Sequence, residues 1–225
     1  MSSKVFEDRI VNDLLPLFCN DPARQYGTAG FKANFHDVDD LDAENFLKGL
    51  DANLVTLVGR LYWAPRSWTG EQFFWEHERA ISPRPITLWT EPIITVATLS
   101  RLHFELGWPK ELLGTQSVGG AFDVVAYLGS GSETEHIACE VKKTVKEADR
   151  LIRLMREFAT LPPDDAIQGP RRNAYQKVKG LRARRAPLLW VVGPGGYSHA
   201  FKVAYSDNGL VAFEEASFRD LRYSA

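Results

Sequence analysis

Two apolar runs joined by a Gly- and Ser-rich segment most constrain the fold of this 225-residue chain. Residues 121–128 and 136–142 are typical of β-strands, because each is a short apolar run bounded by turn-forming residues. Residues 129–135 between them contain two glycines and two serines, which is typical of a turn. The sequence therefore predicts a β-hairpin.

Three ionisable side chains interrupt the apolar runs of this hairpin. Asp123 lies in the first strand, and Glu140 and Lys142 close the second. Because side chains alternate along a strand, Glu140 and Lys142 are predicted to share one face, together with His136. Such residues are poor strand formers, so three of them in one hairpin indicate a function, whereas an ordinary Asp123–Lys142 ion pair is the alternative. Two carboxylates and a lysine on one face favour metal-assisted hydrolysis.

The composition indicates a soluble globular protein. Hydrophobic residues make up 44% of the chain and charged residues 25%, and no run of 18 or more apolar residues is present. We therefore expect no membrane span. The N-terminal residues resemble neither a signal peptide nor a transit peptide. Cys19 and Cys139 do not form a disulfide framework, so the sequence predicts a protein of the reducing cytoplasm.

Basic charge is concentrated directly after the hairpin. Residues 140–185 hold 13 of the 27 Lys and Arg residues but only 6 of the 29 Asp and Glu residues. A dense basic segment can follow a phosphate backbone, although a solvated helix face is the alternative interpretation. The side chains predicted to contact a nucleic acid are Arg171, Arg172, Lys177, Lys179, Arg182, Arg184 and Arg185.

Residues 1–88 are predicted to form a mainly helical N-terminal appendage. Apolar residues recur at helical spacing over residues 4–18, and residues 41–61 are predicted to be a further helical stretch, interrupted near Asp51. An aromatic-dense segment follows over residues 62–75. Its tryptophans could stack on bases or on a partner, or fill a core.

Residues 89–225 are predicted to form one domain in which helices flank a mixed central sheet. A helix is expected to begin at Thr90, capped by that residue, and to end at Gly107. The remaining predicted elements are a strand over residues 114–118, the hairpin, an amphipathic helix over residues 144–159, a basic helix over residues 173–185 and an apolar strand over residues 187–193. This order indicates an α/β sandwich.

The chain resembles the PD-(D/E)XK nuclease superfamily. The resemblance covers roughly residues 90–193 and is carried by Asp123 and by Glu140-x-Lys142 after the hairpin. One departure is Phe122, which stands where the family often has proline. Lys143 offers a second lysine, but the period-two rule points it away from Glu140, so Lys142 is preferred.

The resemblance implies a restriction-endonuclease-like core and a magnesium-dependent deoxyribonuclease, in which manganese could substitute for magnesium. Asp123, Glu140 and the backbone carbonyl of Val141 would bind the metal, and Lys142 would orient the attacking water or stabilise charge. The family often adds a carboxylate from the first core helix. Glu91 is the choice here, and Glu105 is the alternative.

Other functions fit the same residues. The chain could be a non-catalytic nucleic-acid-binding or assembly subunit on the same fold, or a protein-interaction module built around its N-terminal aromatics. The nuclease interpretation favours an endonuclease of the restriction, repair or mobile-element type. DNA is the expected substrate, RNA is an alternative, and a homodimer or a subunit of a larger complex is compatible with it.

Overall fold

The N-terminal part begins with two helices joined by a π-helical segment. The structure, a computed structural model, describes residues 2–22, 27–162 and 167–224. The first elements are α1 (Ser2–Asp8), the π-helical Arg9–Leu14, α2 (Leu15–Cys19) and α3 (Asp40–Asp51). The predicted helix over residues 4–18 is confirmed, and Ile10, Leu14 and Phe18 are buried on its inner face, whereas Val5 and Val11 are exposed.

The prediction of helix beyond Asp51 is wrong. Asn53 adopts a left-handed backbone conformation with φ of 53° directly after the C-cap of α3, which ends the helix. The chain then forms a hairpin of β2 (Thr56–Val58) and β3 (Leu61–Trp63), in which Gly59 supplies the positive φ of the turn. The left-handed Asn53 and the turn at Gly59 therefore replace the predicted helix by a hairpin.

A small three-stranded sheet completes the N-terminal part. Its strands are β1 (Phe31–Lys32), β4 (Phe74–Glu76) and β5 (Ile86–Leu88), in the order β1-β5-β4. Residues 1–88 therefore combine helices with short strands, where a mainly helical segment was predicted. Helix α4 (Thr90–Ser100) follows, with Trp89 and not Thr90 at its N-cap position, and the π-helical Arg101–Glu105 extends it.

The predicted hairpin lies in the middle of a mixed six-stranded sheet. Its strands are β6 (Leu113–Thr115), β7 (Val124–Tyr127), β8 (Glu135–Val141), β9 (Leu188–Val192), β10 (Ser198–Tyr205) and β11 (Val211–Ala216). They lie in the order β11-β10-β9-β8-β7-β6, and only the β8–β9 pair is parallel. Helices α5 (Val145–Ala159) and α6 (Arg172–Arg184) form the crossover between these two strands.

Both faces of the sheet are covered, as in the predicted α/β sandwich. Helices α5 and α6 pack on one face, in a core that includes Val125 and Ala138. The opposite face, with Val124 and Cys139, shares a single core with α4 and with N-terminal residues such as Phe46. Residues on both sides of the predicted boundary at 88/89 thus belong to one hydrophobic core. Across the described residues, the helices lack the combination of length and apolarity needed to span a bilayer.

A β-bulge changes the alternation at the start of β8. Ala126 pairs with Ile137, but Tyr127 pairs with Glu135, so His136 is the extra residue. His136 therefore lies against the ring of Trp108, with centroids 5.8 Å apart, on the side of the sheet away from Glu140. The prediction that His136 shares the face of Glu140 is wrong, because strict alternation does not survive a bulge.

The same bulge places the Glu135 carboxylate in the interior. Glu135 is 1% exposed, and within the described residues neither of its carboxylate oxygens has a hydrogen-bond partner. Burial raises the pKa of Glu135 to about 7, although the positive charge of Arg184 acts in the opposite direction.

We expect Glu135→Gln to remove a pH dependence of stability. A carboxyl whose pKa is raised by folding stabilises the protein at low pH, and this contribution is lost as the pH rises towards about 7. Glu135 should therefore contribute up to about 2–3 kcal/mol to the fall in the free energy of unfolding between about pH 5 and pH 8. In urea denaturation, the fall should be smaller by about this amount for Glu135→Gln than for the wild type. Glu133→Gln, on the exposed turn, is the control, and equal pH slopes for all three proteins would contradict the prediction.

Candidate functional site

The pairing of β7 with β8 brings Asp123 to the end of β8 that carries Glu140. The Asp123 amide donates to the Cys139 carbonyl at 3.0 Å, and the Val141 amide donates to Asp123 Oδ2 at 2.8 Å. The carboxylate of Asp123 is therefore fixed against the backbone of β8. The structure thus joins two of the predicted site residues across the hairpin.

Glu140 and Lys142 share one face, as the period of two predicts. Lys142 Nζ lies 2.7 Å from Glu140 Oε1 and 2.8 Å from the carbonyl oxygen of Val141. Glu140 is 1% exposed, so its charge is neutralised inside the protein and not by water. The neighbouring Lys143 is exposed and lies 4.0 Å from Glu147, which leaves Lys142 as the lysine of the site.

The first turn of α4 supplies the third carboxylate. Glu91 Oε1 lies 3.9 Å from Lys142 Nζ. Glu105, the alternative, lies in the π-helical extension at the other end of this helix and faces Arg101 at 3.8 Å. The structure therefore brings Glu91, and not Glu105, to Lys142.

A second lysine reaches Glu140 from α6. Lys177 Nζ lies 2.5 Å from Glu140 Oε2 and 5.5 Å from the centroid of the Phe122 ring, and the residue is 7% exposed. Lys177 was predicted to contact nucleic acid, whereas here it is a buried partner of Glu140. Gly180 permits this approach of α6, because a Cβ atom there would stand 2.8 Å from that of Ala121.

The N-terminal part adds a carboxylate that the sequence interpretation missed. Glu71 accepts hydrogen bonds from the Tyr62 hydroxyl and from the side-chain amide of Gln116. Gln116 itself donates its backbone amide to the Asp123 carbonyl at 2.9 Å. In the sequence, the only signal of residues 62–75 was their high content of aromatic residues. No local pattern indicated that Glu71 would approach Asp123.

Gln116 holds an unusual backbone conformation. Its φ of 55° lies in the left-handed region, which is unfavourable for a residue with a long side chain. This conformation lies at the start of the loop between β6 and β7, where Gln116 connects Glu71 with Asp123. Strained residues of this kind concentrate at functional sites, and this one supports the assignment of the site.

Burial and nearby negative charge raise the pKa values of Glu140, Glu91 and Glu71. Burial raises the pKa of Glu140, and the charge of Asp123 adds to the effect, although Lys177 and Lys142 oppose it. Burial also raises the pKa of Glu91, and it raises that of Glu71 to about 7. Such a concentration of perturbed acids in a cleft is typical of functional sites.

The direction of the pKa shift of Lys142 follows the neighbouring charges and not burial. Burial alone would lower the pKa of Lys142, but the charges of Glu140, Asp123 and Glu91 outweigh burial and raise it. Lys142 is therefore an ammonium ion throughout the neutral pH range.

The oxygen atoms around Lys142 match the ligand preference of a hard cation. Carboxylate oxygens from Glu140 and Glu91 and the Val141 carbonyl oxygen all lie within 4 Å of its ammonium group. Among the residues described, no group of three or more His, Cys, Asp or Glu side chains is arranged to hold a metal ion. The donor types thus fit magnesium, while the ammonium group of Lys142 lies between them.

Two solvent-open grooves flank the N-terminal half of α6. The first has a volume of about 270 Å³ and the second of about 370 Å³, and Asn173 contributes to both. Polar residues of the first groove are Glu91, Lys142, Lys143, Glu147 and Arg150. Residues of the second groove include Gly119, Gly120, Gln176, Lys177, Lys179 and Arg184. Lys142 and Lys177, which share Glu140, therefore lie in different grooves.

The basic segment predicted to bind nucleic acid is divided between several roles. Lys179 and Arg184 line the second groove, and Arg184 donates to the Val118 carbonyl at its wall. Arg172 is exposed at the start of α6. These residues remain accessible to a ligand, in contrast to the buried Lys177.

Three further arginines of this segment contribute to packing. Arg171 pairs with Glu157 of α5. Arg182 donates to the carbonyl oxygens of Phe158 and Leu161 at 3.0 and 2.6 Å, and thereby ties α6 to the end of α5. Arg185 lies over a tyrosine ring at 4.7 Å. The dense run of charge therefore includes residues that stabilise the helix pair, which a sequence alone does not reveal.

We expect a strong energetic coupling between Glu140 and Lys177. Removing one partner of a buried pair leaves an uncompensated charge, so Glu140→Gln and Lys177→Met should each destabilise the fold by about 2–4 kcal/mol. Because the double variant removes both charges, its loss should be smaller than the sum by more than about 1 kcal/mol. Urea denaturation of the four proteins measures this coupling.

The exposed Lys143–Glu147 pair is the control for that cycle. Its side chains are 56% and 42% exposed. Its coupling should remain below about 0.5 kcal/mol. Equal coupling in the two cycles would show that Glu140 and Lys177 do not form a buried charge pair.

Comparisons with known proteins leave the family of the chain unassigned. No family model matches the sequence, and no match is found among curated proteins or among solved structures. The resemblance to the PD-(D/E)XK superfamily accordingly remains a proposal that depends on the residues and geometry of this chain.

Proposed function

We propose that this chain is a metal-dependent nuclease that hydrolyses phosphodiester bonds of DNA, on a restriction-endonuclease-like core. One observation carries the proposal: Asp123 at the start of β7, Glu140 of β8 and Glu91 of α4 surround Lys142. Of these residues, Glu91 and Lys142 line an open groove. The order of the elements along the chain supports the same interpretation. The resemblance implies the order found here, namely helix α4, the antiparallel strands β6–β8 and the parallel strand β9.

The charges of the site suit a phosphodiester. Such a substrate is anionic and repels an attacking hydroxide, so a catalyst must supply positive charge at the phosphorus. Lys142 lines the first groove and Lys177 the second, and both lysines lie beside Glu140. A phosphate in the first groove would compete with Glu140 for the ammonium group of Lys142.

Each residue of the site then has a defined role. Asp123, Glu140, Glu91 and the Val141 carbonyl would hold a magnesium ion, which supplies charge neutralisation and a bound water of lowered pKa. Lys142, whose ammonium group lies against Glu140 and the Val141 carbonyl, would stabilise the developing charge or orient the attacking water. Glu71 and Gln116 would fix the loop that carries Asp123.

We expect Asp123→Ala and Lys142→Ala each to reduce magnesium-dependent DNA cleavage by at least about 100-fold, because each removes a group that contacts the reacting phosphate or its metal. The measurement is cleavage of circular and linear DNA with magnesium or manganese, beside the wild type. Lys143→Ala is the matched control, since Lys143 lines the same groove but points to Glu147.

The cleavage assay can also contradict the proposal. If the folded wild-type protein cuts neither DNA nor RNA with either metal, the nuclease function is wrong. If Lys142→Ala and Lys143→Ala lose activity equally, a general charge effect in the groove explains the result and Lys142 has no special role.

A non-catalytic nucleic-acid-binding subunit is the second candidate. It is favoured by one observation: both carboxylate oxygens of Glu140 already lie within 2.7 Å of a lysine ammonium group. A site neutralised in this way needs no metal to remain folded. This candidate predicts salt-sensitive binding through the second groove without turnover, and neither magnesium nor manganese should change the affinity.

Several finer features belong to the same proposal. We propose DNA as the partner, with RNA as the alternative substrate, and a reducing cytoplasmic setting. A homodimer or a larger assembly would supply the two active sites that cutting both strands of a duplex requires.

A further inference from the structure

Two tryptophans of the N-terminal part remain largely exposed. Trp68 is 56% and Trp75 is 51% exposed, whereas Tyr62, Phe73 and Phe74 of the same segment lie in the core. Tryptophan is enriched where proteins bind other molecules, because its ring combines a large apolar surface with a polar N–H group. The core therefore accounts for three of these aromatic residues but not for the two tryptophans.

Trp75 lies beside the Glu91 end of the first groove. It sits on β4, and its ring meets that of Trp89 at 5.7 Å and an interplanar angle of 75°. Trp89 directly precedes α4, and Glu91, two residues later, lines the groove together with Lys142. Two residues span at most about 7 Å, so this aromatic pair stands close to the groove.

Trp68 occupies the corresponding position beside the second groove. Its backbone amide donates a hydrogen bond to the Gln116 carbonyl at 3.1 Å. The backbone amide of Gln116 in turn donates a hydrogen bond to the Asp123 carbonyl. The Gln116 side chain also stands beside Gly120, which lines the groove: a Cβ atom at Gly120 would lie 3.8 Å from Gln116 Oε1. Trp75 is thus connected to the first groove through Trp89, and Trp68 is connected to the second groove through Gln116.

Positive side chains line both grooves. Lys143 and Arg150 belong to the first groove, and Lys179 and Arg184 belong to the second. Cations that follow a backbone, combined with aromatic rings on which bases stack, are the features that bind single-stranded nucleic acid. A duplex offers its phosphates to such cations but keeps its base faces stacked inside.

We infer that the substrate strand crosses the site unpaired, with bases stacked on Trp75 and on Trp68 to either side of the reacting phosphate. This inference rests on the proposed function and adds the substrate class: single-stranded DNA or a locally opened duplex. The bound strand places its phosphates along the two basic grooves, so the affinity depends on both salt and aromatic contact.

The test measures binding in the presence of EDTA, so that it does not require cleavage. Fluorescence anisotropy of a labelled single-stranded DNA 20-mer is compared with that of the same sequence as a duplex. We expect the wild type to bind the single strand at least about 10-fold more tightly, and Trp75→Ala and Trp68→Ala each to weaken this binding by about 10-fold. Trp75→Phe should retain most of the affinity, because a phenyl ring still stacks.

Phe104→Ala is the matched control. Phe104 is 55% exposed and belongs to the π-helical extension of α4, about 20 Å along the helix from Glu91 at 1.5 Å per residue. Its replacement should leave binding unchanged. Quenching of intrinsic tryptophan fluorescence by the single strand is a second readout, and Trp75→Phe should reduce it even where affinity is kept.

The outcomes separate this inference from the nuclease proposal. Tryptophan-dependent binding of single strands without any cleavage would support the inference and contradict the nuclease function. Cleavage of duplex DNA with no preference for single strands would support the nuclease and overturn the inference. Equal losses from Trp75→Ala and Phe104→Ala, or binding of neither DNA, would also overturn it, and the exposed tryptophans would then indicate a protein partner.

Discussion

The candidate site depends on one buried carboxylate held between two lysines. Glu140 is 1% exposed, and its two oxygens lie 2.7 Å from Lys142 and 2.5 Å from Lys177. A single carboxylate at this depth would be strongly unfavourable without such partners. Because Lys142 comes from the end of β8 and Lys177 from α6, the ion pairs also fix α6 against the edge of the hairpin. The two grooves that flank α6 follow from this position.

A second set of contacts ties the N-terminal part to the same place. Glu71, held by Tyr62 and Gln116, adds a carboxylate whose pKa is raised by burial and by the charge of Asp123. The N-terminal part also shares the core on the α4 side of the sheet. Removing it would therefore expose apolar surface and release Gln116 from Glu71. Residues 1–88 are in this sense a structural component of the site.

The sequence was informative where the signal is local. Alternation along β8 correctly placed Glu140 and Lys142 on one face, and the helix start at Thr90 placed Glu91. Contacts between residues far apart in the sequence left no such signal. The approach of Glu71 to Asp123 and the ion pair between Lys177 and Glu140 could therefore not be predicted. Local deviations also escaped detection: the bulge at His136 and the left-handed Asn53 each depend on tertiary context that periodicity does not describe.

The balance of charge suggests how the proposed chemistry would begin. In the chain alone, Lys142 and Lys177 neutralise Glu140, while Asp123 is satisfied by the Val141 amide. An arriving phosphate would compete with Glu140 for the ammonium group of Lys142, which lines the first groove, because a phosphate and a carboxylate accept hydrogen bonds from the same donors. The buried charge of Glu140 would then be less completely neutralised by lysine. Its affinity for a metal cation would therefore rise. Substrate and metal should therefore bind with positive coupling, since each relieves the charge imbalance that the other creates.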